Sequence, residues 1–393
     1  MDCNFIADKI KELVRAQPNL CVAAIAADIK RNYHYTASYR KCWEAKQKAM
    51  AMIYGDWDIS YRLLPRWLHA VKYFCPGSVT EVTGFQLQNP SKALFDRAFW
   101  AFAPCIEGFM HCPPILSIDA TFLYGKYKEY MLVATALDGN NHIFPVAFAI
   151  VETESGDTWG WFLETIALLI KYRDGRITLI SDRHPGIIAA VKHQQQYFYN
   201  WRHRYCLRHI CSNFNNKFKN KTLKHIVWNA GTQAQLWKFN KWMEDIKGLN
   251  VRAYEWLQKI SLEKWTLTYD EGGARYGQMT TNLSESFNGV LKGIRSFPIA
   301  GLAESVWYKI VGYFARRREE PSEWGGSAFT PTILARLNKV EKHSGGHCVT
   351  MFDRDTGHFE ITTGYRTYPT GSKGGNKQVK IKILHIYIYI FYE

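Results

Sequence analysis

Short apolar segments alternate with helical patterns between residues 115 and 207, and this order restricts the fold more than any other feature of the chain. Three strand-like segments come first, and the turn sequence Asp-Gly-Asn-Asn at residues 138–141 joins the second to the third as a hairpin. The predicted elements are strands at residues 115–122, 128–138 and 143–152, a helix from about residue 157, a strand at 177–181, a helix at 185–198 and a strand at 204–207. This β-β-β-α-β-α-β order predicts an α/β fold with a mixed sheet that helices cover on both faces.

Helical periodicity dominates on both sides of this segment. Residues 1–110 are predicted to be a helical N-terminal region, which includes a helix at residues 92–109. Three short helices with a basic last member at residues 38–54 are typical of a helix-turn-helix that docks on DNA. A helical packing module with a solvated charged face fits the same pattern equally well.

The helical patterns resume after the last predicted strand. An inserted helical subdomain is predicted at about residues 208–275, and a helical extension at 301–345. Residues 346–393 are predicted to be a truncated or irregular tail, in which the alternating sequence at 385–393 could form an edge strand.

Three acidic residues lie at the ends of predicted elements. Asp119 lies in the first strand-like segment, Asp182 directly follows the fourth, and Glu285 lies near the start of an amphipathic helical pattern at residues 282–295. Neighbouring strands and a helix packed across their edge can bring three carboxylates together, and oxygen ligands suit Mg²⁺ or Mn²⁺. The sequence therefore favours a two-metal site for phosphoryl transfer, with all three acids as catalytic metal ligands.

Each acid also has a structural alternative. Asp119 and Asp182 could close their strands as turn formers, and Glu285 could belong to a capping box that begins at Asn282. The joint placement of the three, rather than any one of them, supports the catalytic interpretation.

The helical pattern at residues 282–295 has an apolar and a polar stripe. The residues predicted to be buried are Leu283, Phe287, Val290, Leu291 and Ile294, and those on the polar stripe are Glu285, Asn288 and Lys292. Lys292 is a candidate DNA contact. Arg183 and His184 are further candidates for phosphate contact, although exposed loop positions would explain them as well.

Cys206 and His209, in the sequence Cys-Leu-Arg-His, carry side chains that bind zinc in other proteins. A closed zinc site needs four ligands at recognisable spacings, which His203 and Cys211 do not supply. We therefore do not expect zinc here, and a packing role beside the acidic site is the favoured interpretation.

The charge of the chain indicates a polyanionic partner. Its 393 residues carry a net charge of +15, and Lys and Arg release counterions when they bind a phosphate backbone, so nucleic acid is the leading partner. The nine cysteines are dispersed without a compact framework, which fits a reduced compartment. No apolar run approaches the ~18 residues that a membrane span needs.

The motifs of the chain resemble those of the transposases of plant Mutator-like elements (MULEs). They lie within residues 5–345 and are Ser117-Ile-Asp-Ala-Thr-Phe-Leu-Tyr-Gly-Lys-Tyr-Lys128, Asp138-Gly-Asn-Asn141, Pro145-Val-Ala-Phe-Ala149, Trp159-Gly-Trp-Phe-Leu163, Ser181-Asp-Arg-His-Pro-Gly186, Cys206-x-x-His209 and Asn282-Leu-Ser-Glu-Ser-Phe-Asn288. The resemblance implies an RNase H-like catalytic domain at residues 111–300, whose acidic triad is Asp119, Asp182 and Glu285. It also implies cleavage of double-stranded DNA at element ends, strand transfer into target DNA, a homo-oligomer and a nuclear location.

Two departures from the family pattern lead to a further expectation. Family members commonly carry a zinc finger ahead of the helical N-terminal region, and many continue into a SWIM-type Cys-x-Cys…Cys-x-His finger. Here Gly374-Gly-Asn-Lys-Gln-Val379 is followed by unrelated residues without cysteine. We therefore expect a truncated copy or a gene-model artefact at the C-terminal end.

Two other functions compete with the transposase. A domesticated, non-catalytic DNA-binding regulator similar to the far-red-response transcription factors could retain the acids. An unrelated RNase H-like nuclease for RNA–DNA hybrids would also use them, but it would not need the large helical insertion.

Overall fold

The computed structural model describes residues 1–86, 93–170, 177–194 and 200–344, and the backbone of three short strands beyond them. The chain divides into two compact units. The first comprises residues 1–138, 142–270 and 274–319, and the second comprises residues 139–141, 271–273 and 320–393.

The first unit begins with four helices. They are α1 (Cys3–Ala16), α2 (Val22–Tyr33), α3 (Tyr39–Tyr54) and α4 (Trp57–Phe74). Side chains of Asp2, Ser38 and Asp56 cap α1, α3 and α4 by accepting backbone N–H groups that the first helical turn leaves unpaired. The predicted helices of this segment are confirmed, whereas DNA binding by a helix-turn-helix stays a prediction.

A seven-stranded sheet follows. Its elements are β1 (Val79–Gln86), β2 (Ala93–Ala101), α5 (Ala103–Phe109), β3 (Ile115–Phe122), β4 (Tyr130–Leu137), β5 (Ile143–Val151), α6 (Gly156–Leu169), β6 (Ile177–Ser181), α7 (Pro185–Gln194) and β7 (Trp201–Tyr205). The strand order is β1-β2-β5-β4-β3-β6-β7. In this order, the five neighbouring strands β1, β2, β5, β4 and β3 pair antiparallel. The strands β3, β6 and β7 pair parallel. An antiparallel meander of β3, β4 and β5 extended by two parallel strands is the RNase H-like arrangement, so the predicted fold class is confirmed.

The prediction that residues 1–110 are helical throughout is wrong for β1 and β2. Within the predicted helix at residues 92–109, Ala93–Ala101 is a strand, and α5 is the helical part of the described residues. Ala98, Phe99 and Trp100 pair with β5, and all three are fully buried. Burial on both faces of the sheet removed the alternation by which a strand is recognised, so the apolar run resembled a helix. Strand β7 also begins three residues earlier than predicted.

The helical insertion is confirmed and has its own apolar core. It consists of α8 (Leu207–Phe218), α9 (Lys221–Thr232), α10 (Leu236–Leu249) and α11 (Val251–Gln258). Phe214, Ile246 and Trp265 lie in its core, separate from the core of the sheet.

Two further helices, α12 (Asn282–Val290) and α13 (Ile299–Glu319), complete the first unit. The predicted single helix at residues 282–295 is too long, because Lys292 N–H donates to the Gly289 carbonyl three residues back and tightens the last turn. Val290, predicted to be buried, is 38% exposed. Asn288, predicted to lie on an exposed stripe, is buried.

The second unit contains α14 (Pro331–Ser344), β8 (His347–Asp353), β9 (His358–Thr363) and β10 (Gln378–Lys382). The three strands form an antiparallel sheet in the order β10-β9-β8, so an irregular conformation throughout residues 346–393 is wrong. The alternating sequence at 385–393 lies outside the described residues. In the part of the chain that the structure describes, no helix is long and apolar enough to cross a membrane.

Candidate active site

Asp119 lies in the middle of the sheet, on β3. It faces Val133 on β4 and is followed by three more residues of its strand, so it does not close the strand as a turn former. Its Oδ2 accepts a hydrogen bond of 2.9 Å from Asn288 Nδ2 on α12. Burial, followed by the negative charge of Asp182, raises the pKa of Asp119 to about 7.

Asp182 directly follows β6, which pairs parallel with β3. In this register Ser117 lies beside Ile180. Both strands run in the same direction, so Asp119 and Asp182, each two residues further along the chain, lie at the same edge of the sheet, the one that the C-terminal ends of β3 and β6 form. The Asp182 Oδ1 atom also accepts the His184 backbone N–H at 2.9 Å. Asp182 therefore forms the turn that the structural alternative predicted, and this turn leaves its other oxygen available to the site.

Glu285 projects from α12 toward the same region, where its charge contributes to raising the pKa of Asp119. The N-cap of α12 is Thr281 and makes no side-chain cap, so the predicted capping box at Asn282 is absent. Arg208 on α8 binds Glu285 Oε2 at 2.8 Å and also donates to Asn282 Oδ1 at 2.9 Å. His209 Nε2 lies 3.9 Å from Glu285 Oε1.

Buried hydroxyl groups fix α12 to the sheet. Ser284 Oγ donates to Ser117 Oγ at 2.8 Å and lies 3.0 Å from Thr135 Oγ1. All three residues are buried. The helix that carries Glu285 and Asn288 is therefore held at one position relative to β3 and β4.

A fourth carboxylate, which the sequence did not single out, borders the site. Glu154 Oε1 lies 3.4 Å from His184 Nδ1 and accepts the Trp159 indole N–H at 3.1 Å. Burial raises the pKa of Glu154, and the charge of Asp182 acts in the same direction.

The candidate DNA contacts occupy different environments. The Arg183 guanidinium lies over the rings of Tyr205 and Trp256, with centroid distances of 5.8 and 5.6 Å. His184 belongs to the Asp182 turn, and Lys292 is exposed. Arg183 therefore joins the Asp182 loop to the helical insertion, and DNA contact by the three residues stays a prediction.

Cys206, His209 and Glu285 form a compact group. One ligand atom from each lies within 4.8 Å of the others, and among the described residues this is the group whose spacing could hold a metal ion. Cys206 is fully buried, and burial opposes ionisation of its thiol, but His209 and Thr281 together lower its pKa. His209 links the predicted Cys-x-x-His motif to the acids, because its pKa is raised to about 9 by Cys206 and also by the charges of Asp182 and Glu285.

The MULE transposase domain model matches residues 115–213, from β3 into α8. The chain contains a MULE transposase domain. The matched residues of this MULE domain include Asp119, Asp182, Cys206 and His209 and end before Glu285.

A plant relative agrees with this family. The FAR1-related sequence 5 protein of Arabidopsis thaliana is 26% identical over 223 residues, which are 53% of this chain and 27% of the relative. The chain thus matches about a quarter of that relative's length. Together the two matches confirm the plant Mutator-like family that the sequence motifs indicate.

Among solved structures, the catalytic domain of the Mos1 mariner transposase is similar to 43% of this chain and 84% of its own, with 15% identity and a TM-score of 0.21. The MULE domain is RNase H-like in its strand order and in its pairing of antiparallel and parallel strands.

Proposed function

We propose that this chain cleaves DNA strands and transfers them to target DNA, as a metal-dependent transposase of the Mutator-like type. The observation that carries the proposal is the register of β3 with β6, which directs Asp119 and Asp182 to one edge of the sheet while α12 lies against that edge. The family match supports a transposase-derived protein, and the proposal adds the chemistry to it.

By ligand type the three acids at this edge suit a divalent cation, although their oxygen atoms do not form a group within 4.8 Å of one another, so a bound cation would have to draw them together. Asp119, Asp182 and Glu285 offer carboxylate oxygens, which Mg²⁺ and Mn²⁺ prefer. The buried Asn288 Oδ1 has no hydrogen-bond partner among the described residues, although a buried carbonyl oxygen normally has one. When bound, two such cations would stabilise the attacking and leaving oxygens of a displacement at phosphorus.

The neighbouring side chains would keep these acids in place. Asn288 donates to one oxygen of Asp119, and Arg208 binds one oxygen of Glu285. Burial of Asp119 without a cation favours its protonated form, so cation binding would be accompanied by release of a proton.

The substrate in this proposal is double-stranded DNA. The net charge of +15 favours a phosphate backbone as partner. A homo-oligomer that joins two element ends and a nuclear location complete the proposal.

A second candidate is a DNA-binding regulator that no longer cleaves. It is favoured by the similarity to a protein named as FAR1-related, because the same fold and acids would persist in such a descendant. The two candidates differ in one property, which is cleavage that depends on Asp119.

Plasmid nicking and strand transfer with Mn²⁺ test the proposal, with the wild-type chain compared with Asp119→Asn. The substitution keeps the size of the side chain and an acceptor for Asn288, but it removes the charge. We expect nicked and joined products from the wild type and a loss of at least about 100-fold in the variant, the scale of losing one metal ligand in such a centre.

Three controls make the result decisive. Circular dichroism shows whether both chains are folded, and Asp245→Asn, an exposed acid on α10, controls for loss of one charge. An RNA–DNA hybrid substrate separates a transposase from a hybrid nuclease. DNA binding without cleavage by a folded wild-type chain would contradict the proposal and favour the regulator.

A further inference from the structure

We propose that Cys206, His209 and Glu285 form a binding site for Zn²⁺, which shares Glu285 with the carboxylate edge described above. The proposal does not depend on DNA cleavage, since a chain that only binds DNA would keep the same three side chains.

The backbone of α8 and α12 brings the three ligand side chains close together. Cys206 is the N-cap residue of α8 and His209 lies three positions further on, so both project from the same face of its first turn. Glu285 approaches them from α12, and one ligand atom of each residue lies within 4.8 Å of the other two. A cation that draws these atoms inward would need only small side-chain rotations.

The chemical types of the ligands select zinc over magnesium. A thiolate and an imidazole are soft or intermediate ligands that Zn²⁺ binds strongly and Mg²⁺ does not. Three protein ligands with a fourth position open is the pattern of catalytic rather than structural zinc sites. The Cys-x-x-His motif supplies only two of these ligands, so the sequence argued against zinc. The third ligand, Glu285, lies 76 residues beyond His209 in the chain.

Polar groups around the ligands are unpaired or arranged to support a metal. Thr281 N–H donates to Cys206 Sγ at 3.3 Å, as outer-shell donors do in thiolate sites. His209 Nδ1 and Thr281 Oγ1 are buried atoms that make no hydrogen bond of good geometry among the described residues beyond the side-chain contacts of His209 and Thr281 with the Cys206 thiol. Buried polar atoms normally have partners, and a bound cation with its water would provide them.

Arg208 does not block the site. It binds Glu285 Oε2, whereas Oε1 is the oxygen that lies toward His209. A carboxylate can bind a cation through one oxygen while an arginine holds the other.

Titration of the metal-free chain with Co²⁺ tests the proposal, because a cobalt–thiolate bond gives a near-ultraviolet charge-transfer absorption that needs no enzymatic activity. We expect the wild type to develop this absorption with one equivalent of Co²⁺ and to lose it on addition of one equivalent of Zn²⁺. Cys206→Ser should abolish the absorption, and His209→Ala and Glu285→Gln should each weaken Co²⁺ binding at least about tenfold.

Cys211→Ser is the matched control. Cys211 is buried on the same helix, one and a half turns further along, and does not belong to the ligand group. This variant should keep the absorption of the wild type, and circular dichroism should show that every variant is folded. Absence of the absorption in the folded wild type, or its persistence in Cys206→Ser, would overturn the proposal whether or not the chain cleaves DNA.

Discussion

The sheet and the helical insertion of this protein have separate apolar cores and are joined by polar and aromatic contacts and by a small apolar cluster of Ile115, Ile180 and Cys206. The core of the sheet includes Phe99, Phe148 and Phe287, and that of the insertion includes Phe214 and Trp265. The residues that join them are Arg204 with Asp270, Arg183 with Trp256, and Arg208 with Glu285. Each core can therefore form by apolar burial alone, whereas the alignment of the candidate site depends on a few directional contacts.

The largest effect is expected at the buried ion pair between β7 and the last segment of the insertion, which follows α11. Arg204 Nε and Asp270 Oδ1 lie 3.3 Å apart, and their side chains are 5% and 2% exposed. Asp270→Ala would leave the Arg204 charge buried without its carboxylate, at a cost of about 3–5 kcal/mol in the free energy of unfolding. Urea denaturation would measure the loss.

Glu263→Ala is the control for this prediction. Glu263 is 53% exposed and lies 3.9 Å from Lys264, so its removal should cost about 0.5 kcal/mol or less. Equal costs for the two substitutions would show that the contact does not hold the two regions together.

A smaller loss is expected where α12 meets the sheet. Ser284→Ala removes the partner of the buried Ser117 hydroxyl and one of two partners of the Thr135 hydroxyl, which also contacts the Ser117 carbonyl. The substitution should cost about 1–3 kcal/mol in the free energy of unfolding. Ser286→Ala changes an exposed serine of the same helix and should be close to neutral. Urea denaturation of both variants tests this, and a neutral Ser284→Ala would mean that the hydroxyl contacts do not fix the helix.

The aromatic contact should matter for activity more than for folding. Trp256→Leu removes a ring that lies over the Arg183 guanidinium, an interaction of about 1–2 kcal/mol, and frees the loop that carries Asp182. We expect cleavage to slow about tenfold. Trp237→Leu is the control, because Trp237 is 65% exposed on α10; a similar loss in both variants would assign the effect to the insertion as a whole.

The smallest effect should be a gain in stability. In the metal-free chain the pKa of Asp119 is about 7 against an ordinary 3.8, so the folded state binds an extra proton between these values and the wild type loses stability as pH rises through them. Asp119→Asn lacks this loss and should be more stable by at least about 1 kcal/mol at pH 8. Below pH 4 the advantage should disappear.

Thermal unfolding in the presence of a chelator at several pH values measures this difference. A variant that is no more stable than the wild type at pH 8 would show that burial of Asp119 does not strain the metal-free fold.

The sequence predicted an element of this fold where that element has a recognisable local pattern of apolar residues and turns, and it failed where such a pattern is absent. Strands β3 to β6 keep short apolar runs bounded by turns, so their order was predictable. Strand β2 is buried on both faces through pairing with β5, and such a contact between distant residues leaves no local signal.

The candidate site follows the same principle. Asp119 was recognisable because it directly follows a short apolar run, and Asp182 and Glu285 because they lie next to the end or the start of an element. Nothing local showed that Asn288 turns inward to Asp119 or that Glu285 lies beside Cys206 and His209. Asn288 lies three positions after Glu285 on α12, and this spacing placed both on the polar stripe of the helix, but it did not show that Asn288 faces the sheet.

Titration with Mn²⁺, followed by the loss of the free-ion electron paramagnetic resonance signal, tests the central claim most directly. If Asp119 and Asp182 form a cation site at the edge of the sheet, the wild type and Asp245→Asn should bind Mn²⁺ equally. Asp119→Asn and Asp182→Asn should each bind it at least about tenfold more weakly while remaining folded. Equal Mn²⁺ binding by all four chains would contradict the account.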